Sequence, residues 1–316
     1  MNKYEVTLIG QAILDILAGP IGSNIFDAGT MPMETIKMTC GGNGYNEAAA
    51  LSRLGVPVSL ISKVGNDEAG TRIIDKMNNI GINTDHVIIE DGLETSINIV
   101  LFDEHGERRF LTNPKGSQRR LSEKNIMASI DSCADIVCFT CMFVSPLLDI
   151  PAMTSIFSRI KEKEGRTLAV DMTKAKNGEK IRDLKPLLQY IDYILPNEEE
   201  LRIISDKNTD QGAKELLDFG VGCVIVKQGK SGCTVYTKEC SFHVNAYASE
   251  HAVDTTGAGD CFAAGFLYGL VKKMGLIDCV HMANATASCC VESVGAADGI
   301  ISAEEPLRRF ELQKTL

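Results

Sequence analysis

The sequence predicts an α/β protein of three layers, with helices on both faces of a mainly parallel central sheet and a small second sheet set off from that body. Three observations predict it. From about residue 120 onward, short β-rich runs alternate with amphipathic stretches, which is the pattern of βαβ units. Runs such as Val224-Ile225-Val226 are apolar without alternation, as strands buried on both faces must be. The N-terminal third breaks the pattern with strand-like segments that read as a small sheet of their own.

Taken in order, Val6-Thr7-Leu8-Ile9-Gly10 reads as a first strand directly after Met1-Asn2-Lys3-Tyr4-Glu5. No secretory leader is expected there, so the chain should stay in the cytoplasm. Segments 13–18 and 34–39 read as strands, and 95–102 with 108–112 as a hairpin about Asp103-Glu104-His105-Gly106. These four segments are expected to form a small antiparallel sheet. It is too small to stand alone and must pack on the larger body or on a second subunit. Further strands are expected at 136–140, 167–171, 193–195 and 223–226, with helices at 155–163, 214–219, 258–274 and 277–292. The whole reads as one domain over 1–316, carrying 13–40 and 86–118 as insertions.

Composition narrows the classes of function. With 42 acidic and 32 basic residues the net charge is -10, which repels a nucleic-acid backbone unless a basic stripe offsets it. The densest basic group, Arg108-Arg109 with Arg119-Arg120, is short and lies among turn residues, so no nucleic-acid partner is expected. No apolar run approaches the roughly 20 residues that span a bilayer, and no membrane partner is expected. The 11 cysteines are odd in number and scattered through apolar stretches, unlike a secreted disulfide framework. Cys138-Phe139-Thr140-Cys141 has metal or redox spacing, but no second pair completes a site, so a buried strand is expected.

The chemistry concentrates in Asp254-Thr255-Thr256-Gly257-Ala258-Gly259-Asp260, a glycine-rich loop entering an apolar helix. Small residues at Gly257, Ala258 and Gly259 let a phosphate approach backbone N–H groups at a helix N-terminus. A carboxylate beside an anion site would repel its ligand. Asp260 makes sense there if it accepts a proton from an attacking hydroxyl while the amides hold a migrating phosphoryl group. The plainer alternative is a capping aspartate.

This segment resembles the C-terminal signature of the ribokinase-like carbohydrate kinases. Their N-terminal signature, a Gly-Gly pair before a small-residue helix, is similar to Gly41-Gly42-Asn43-Gly44-Tyr45-Asn46-Glu47-Ala48-Ala49-Ala50. The resemblance covers nearly the whole chain and implies a ribokinase-like fold with the small sheet as a lid. It implies an ATP-dependent kinase that phosphorylates a hydroxyl of a ribose- or fructose-like monosaccharide, with Asp260 as base and 257–260 as anion hole. Asp15, Gly41, Gly42 and Asn46 would bind the sugar; Asp15 could instead be a surface turn residue. Asn197 and Glu200 match an N-x-x-E element that would organise Mg2+ around ATP, although an acidic helix start is also favourable by itself.

Lys227, Gly229 and Gly232 resemble the loop along the nucleotide, and Asn284 the adenine side. A P-loop would need glycine where Val224 stands, so that reading fails. By position, carbonyls of Asp254, Thr256, Cys290, Ser293 and Gly295 would hold a monovalent cation, with K+ as a further cofactor. Substrate contacts depart from the family: Asn43, Tyr45 and Glu47 replace the usual residues of ribokinases, and Met142 stands where an acidic sugar contact is expected. Tyr45 would narrow the pocket or stack on a ring. A nucleoside kinase of the same fold and a non-catalytic sugar-binding regulator are the alternatives. A homodimer through the lid is expected from its exposed sheet.

Overall fold

The structure is a computed structural model that describes residues 4–22, 25–27, 29–104, 107–247, 252–293 and 295–314. His105 and Gly106 of the expected hairpin turn, and Met1, Asn2 and Lys3, lie outside the described residues. The strands are β1 Val6–Ile9, β2 Ile13–Gly19, β3 Thr35–Gly41, β4 Val58–Gly65, β5 Val87–Glu90, β6 Ile97–Phe102, β7 Arg108–Thr112, β8 Ile136–Met142, β9 Thr167–Met172, β10 Tyr193–Ile194, β11 Cys223–Lys227, β12 Cys233–Tyr236 and β13 Ser241–Val244. The helices are α1 Asn43–Arg53, α2 Glu68–Asn79, α3 Glu123–Met127, α4 Ile150–Lys161, α5 Ile181–Leu188, α6 Glu198–Ser205, α7 Thr209–Asp218, α8 Ala258–Val271, α9 Leu276–Cys290 and α10 Glu304–Lys314.

The large sheet has the order β13-β12-β11-β10-β9-β8-β1-β4-β5. Every pairing from β5 across to β11 is parallel, and only β12 and β13 run antiparallel at one edge. Alternation along each strand feeds two cores. Val6, Leu8, Cys138, Ala169 and Ile225 face one core, which α1, α2, α8 and α9 cover. Ile9, Phe139, Leu168, Val170 and Val224 face the other, under α4, α5, α6 and α7. The expected three-layer architecture follows. Cys138 and Cys141 fall on opposite faces of β8 and are both buried, so their spacing cannot clamp a metal. None of the 11 cysteines is disulfide-bonded, and ten are buried.

Helix limits move outward where capping outweighs periodicity. Asp149 caps α4 by accepting from Ala152 N, and Pro151 sits in the first turn, so the helix begins five residues before the apolar stripe suggests. Asn208 does the same for α7. At the other end, α8 stops at Val271 and α9 at Cys290, short of the expected 274 and 292.

The second sheet has the order β3-β2-β6-β7. It is mixed and not antiparallel as expected, because β2 and β6 run parallel. Between them the chain passes through α1, β4, α2 and β5 of the main body and re-enters the small sheet from the same end.

The strand order reverses at β1, whose neighbours are β4 on one side and β8 on the other. A crevice forms outside the carboxyl end of a parallel sheet at such a point, because the flanking connections leave in opposite directions. The loop 10–12 and the start of α1 stand there.

Phe139 and Phe157 meet edge to face at 5.0 Å in the second core. Phe139→Ala is expected to lower the unfolding free energy by about 3–5 kcal/mol, read from urea denaturation. A loss under about 1 kcal/mol would mean that this core yields around the cavity.

Candidate active site

The loop before α8 takes its shape from Gly257, which caps the helix at φ +74°. A Cβ there would lie 2.6 Å from Ala296 Cα, so both conformation and space call for glycine. Ala258 N–H closes a turn onto Thr255 O at 3.2 Å, whereas Gly259 and Asp260 N–H groups, at the start of α8, have no partner in the helix. They face a cavity of about 580 Å³. Asn197, Glu200, Lys227, Gly229, Gly232 and Asn284 line one side of it. Ala258, Gly259, Asp260 and Asp171 line another.

Asp260 is bound from across the molecule, where Asn46 Nδ2 donates to its Oδ2 at 2.6 Å. Burial pushes its carboxyl up to about 6; the Asn46 bond and Lys227 pull down, and Asp171 pushes up. Asp171 closes the apolar strand β9 and accepts from Lys227 Nζ at 2.6 Å. Burial opposes the Lys227 charge, yet Asp171 and Glu200 hold it protonated, up to about 12. Carboxylate oxygens of Glu47, Asp171 and Asp260 lie within 4.8 Å of one another, and the positive charge that serves them is the Lys227 ammonium. Sequence reasoning passed over Asp171, although an acid ending a buried β-run was its signal.

The sugar-side residues converge less on the cavity than on one another. Gly41 pairs in register with Ile13, and a Cβ on it would meet Asp15 Oδ2 at 2.0 Å. The glycine therefore lets the Asp15 carboxylate lie over the strand. Asn98 of β6 donates to Asp15 Oδ1 at 3.0 Å, a partner that only the parallel β2–β6 register supplies. Burial raises the Asp15 carboxyl to about 6, against Asn98 and Arg108. Gly42, at φ +91°, turns the chain into α1 so that Asn46 reaches Asp260. Tyr45 and Met142 are both packed in the hydrophobic interior, 4% and 0% exposed.

Asn197 and Glu200 form a capping box for α6, each side chain accepting from the other's backbone N–H at 2.8 Å. That uses Glu200 Oε2. Burial raises the Glu200 carboxyl to about 7, opposed by Lys227, while Glu200 also lines the cavity. A hard oxygen donor so placed fits a dication that would favour its charged form. Asn284 donates to Asn245 O at 3.3 Å and lines the adjoining wall.

Asp254 ties the last group together. Its carboxylate accepts from Thr256 N at 2.9 Å and Gly295 N at 3.0 Å, and Arg108 of β7 reaches it at 2.6 Å. Burial would raise this acid, but these bonds and Arg108 hold it below the usual range. Cys290 Sγ donates to Thr256 O at 3.5 Å, and Ser293 N to Cys290 O at 3.3 Å. The loops carrying Asp254, Thr256, Cys290, Ser293 and Gly295 are thus joined by hydrogen bonds.

Residues 4–303 match the family described as pfkB family carbohydrate kinase. A sugar kinase of Archaeoglobus fulgidus without assigned substrate is 30% identical over 79% of this chain and 97% of its own. Ribokinase of Thermotoga maritima superposes with a TM-score of 0.83 at 22% identity, covering 98% of this chain and 99% of its own. Arabidopsis thaliana ribokinase complexed with ribose and ATP gives 0.81 at 22% identity, over 98% and 99%.

Because its folded-state carboxyl binds a proton more tightly than an unfolded aspartate, Asp260 costs stability progressively as the pH rises from the ordinary aspartate range to about 6, and the full cost is present above that. Asp260→Asn is expected to raise the thermal midpoint by a few degrees at pH 7.5, the gain fading as pH falls through 6 toward 4. Equal midpoints at pH 7.5 would mean that Asp260 is not held against its charge.

Proposed function

Since this chain belongs to the pfkB family of carbohydrate kinases, we propose that it transfers the γ-phosphoryl group of ATP to a hydroxyl of a monosaccharide. The observation that carries this is Asp260, a half-shielded carboxylate at the rim of an anion-binding helix entrance, pinned by Asn46. Asp260 takes the hydroxyl proton as that oxygen attacks the γ-phosphorus in line, and the bond to the bridging oxygen of the leaving ADP breaks. The free N–H groups of Gly259 and Asp260, with Gly257 and Ala258 shaping the entrance, stabilise charge on the transferring group. Lys227 adds a positive charge beside it: its Nζ is 3.5 Å from where a Cβ on Gly259 would be.

ATP fits the cavity, with Gly229 and Gly232 along the phosphates and Asn284 toward the base. Asn197 and Glu200 would hold Mg2+, which would supply countercharge to the triphosphate. K+ held by the carbonyls of Asp254, Thr256, Cys290, Ser293 and Gly295 would supply positive charge beneath the helix entrance. The sugar lies on Asp15, Asn98, Gly41 and Gly42, with Asn46 between it and the base.

The small sheet serves as the lid. Arg108 links it to Asp254 at the catalytic loop, so closure and the assembly of that loop are coupled and water is kept out. Its outer face carries Met38, Ile16, Ile99 and Leu111 aligned across all four strands, with Ile36 next to them at 72% exposure. A flat apolar sheet face of this kind supports a homodimer through the lid.

Asp260→Asn is expected to retain ATP binding and to lose on the order of 10²-fold or more in ADP release with a sugar panel. In the parent, kcat/KM should fall as pH drops through about 6, where Asp260 takes up its proton. Turnover of Asp260→Asn within a few-fold of the parent removes the base role. Sedimentation velocity is expected to give a dimer that Leu111→Glu converts to monomer; a monomer at all concentrations refutes pairing through the lid.

A further inference from the structure

Glu47 has no part in the mechanism above, yet it is fully buried, at 0% exposure, behind the base. Helix α1 carries it inward one position after Asn46. Four titratable or charged groups act on it: Asp171 from β9, Asp260 from α8, Cys138 from β8 and Lys227 from β11. Cys138 Sγ donates to Oε2 at 3.4 Å, and Lys227 is already bound to Asp171 at 2.6 Å. Oε1 has no partner among the protein atoms.

The charges in this space do not balance if all three acids are ionised, for there is a single ammonium among them. Carboxylates crowded within 4.8 Å and away from water retain a proton on one member. Asp171 is committed to Lys227. Asp260 accepts the Asn46 amide at 2.6 Å, which favours its charged form. Glu47 receives only a thiol, the weakest of these donors. The proton therefore belongs on Glu47, and its unpartnered Oε1 is the oxygen free to carry it.

We propose that Glu47 is a positioning residue for the base: a carboxyl kept neutral behind Asp260 and Asp171, so that it adds no further negative charge there and leaves the Asp260 carboxylate free to ionise. This rests on Asp260 being the base. A charged Glu47 would do the reverse and make Asp260 harder to ionise. During transfer the substrate proton passes to Asp260, and Glu47 keeps its own. Burial and the two neighbouring acids hold the Glu47 carboxyl well above the ordinary range, in agreement.

The test combines infrared difference spectroscopy with pH–rate profiles on the full chain. Parent minus Glu47→Gln at pH 7 should show the carbonyl stretch of a protonated carboxylic acid. Glu47→Gln is neutral, so its kcat should stay within about threefold and its acid limb within roughly 0.3 unit of the parent. Glu47→Leu is neutral as well, so its acid limb should also stay within roughly 0.3 unit, with kcat within about threefold and both KM values within about twofold. Absence of the band overturns the proposal. So does a Glu47→Gln acid limb displaced downward, which would reveal a charged Glu47, and so does equal loss in both variants with unmoved profiles, which is a packing effect. Should Glu47→Leu fail to fold, the band and Glu47→Gln still decide. The band reports the Glu47 proton whether or not Asp260 is the base, so the two readings fail separately.

Discussion

The site sets the buried Asp260 carboxylate beside two other acids and the open N–H groups of a helix start. Asp260 stands at the start of α8, where free N–H groups favour negative charge, but burial and Asp171 oppose its ionisation. The neighbourhood answers with fixed partners: the Asn46 amide on Asp260, and the Lys227 ammonium on Asp171. In a low-dielectric recess, such bonds are stronger than in water and leaving one out is costly. Residues from α1, β9, β11 and α8 must therefore meet within a few ångströms, and the reversal of strand order at β1 is what makes room for them to do so.

The small sheet extends the same logic outward. Asp15 is half-buried against Asn98 and lies where Gly41 has no side chain. Arg108 crosses from β7 to Asp254, so the insertion is tied to the catalytic loop by an ion pair shielded from solvent. A pair of this kind fixes geometry more than it stabilises, since desolvation offsets much of the attraction. Its outer face is largely apolar, whereas its inner face sets Asp15 and Asn98 beside Leu17 and Val100.

Much of this was legible along the chain. Unbroken apolar runs marked the central strands, because a strand covered on both faces has no polar side to show. Gly41, Gly42, Gly257 and Gly259 marked the two approaches to the site, because backbone amides are most open where side chains are missing. Asn46 and Asp260 were both recognisable, yet 214 residues separate them and nothing local says that they touch. That Tyr45 and Met142 both pack into the interior was not legible locally either, because either side chain suits a core or a pocket wall.

The sequence by itself determined the layers and the glycine-lined helix entrance with Asp260 beside it, because these follow from periodicity and from residue types that are neighbours in the chain. Tertiary structure alone decided the parallel β2–β6 register that brings Asn98 to Asp15, the Lys227–Asp171 pair, and the burial of Glu47 against two other acids. Charge state in a closed space depends on how many like and unlike groups share it, and that number exists only once distant segments have been folded together.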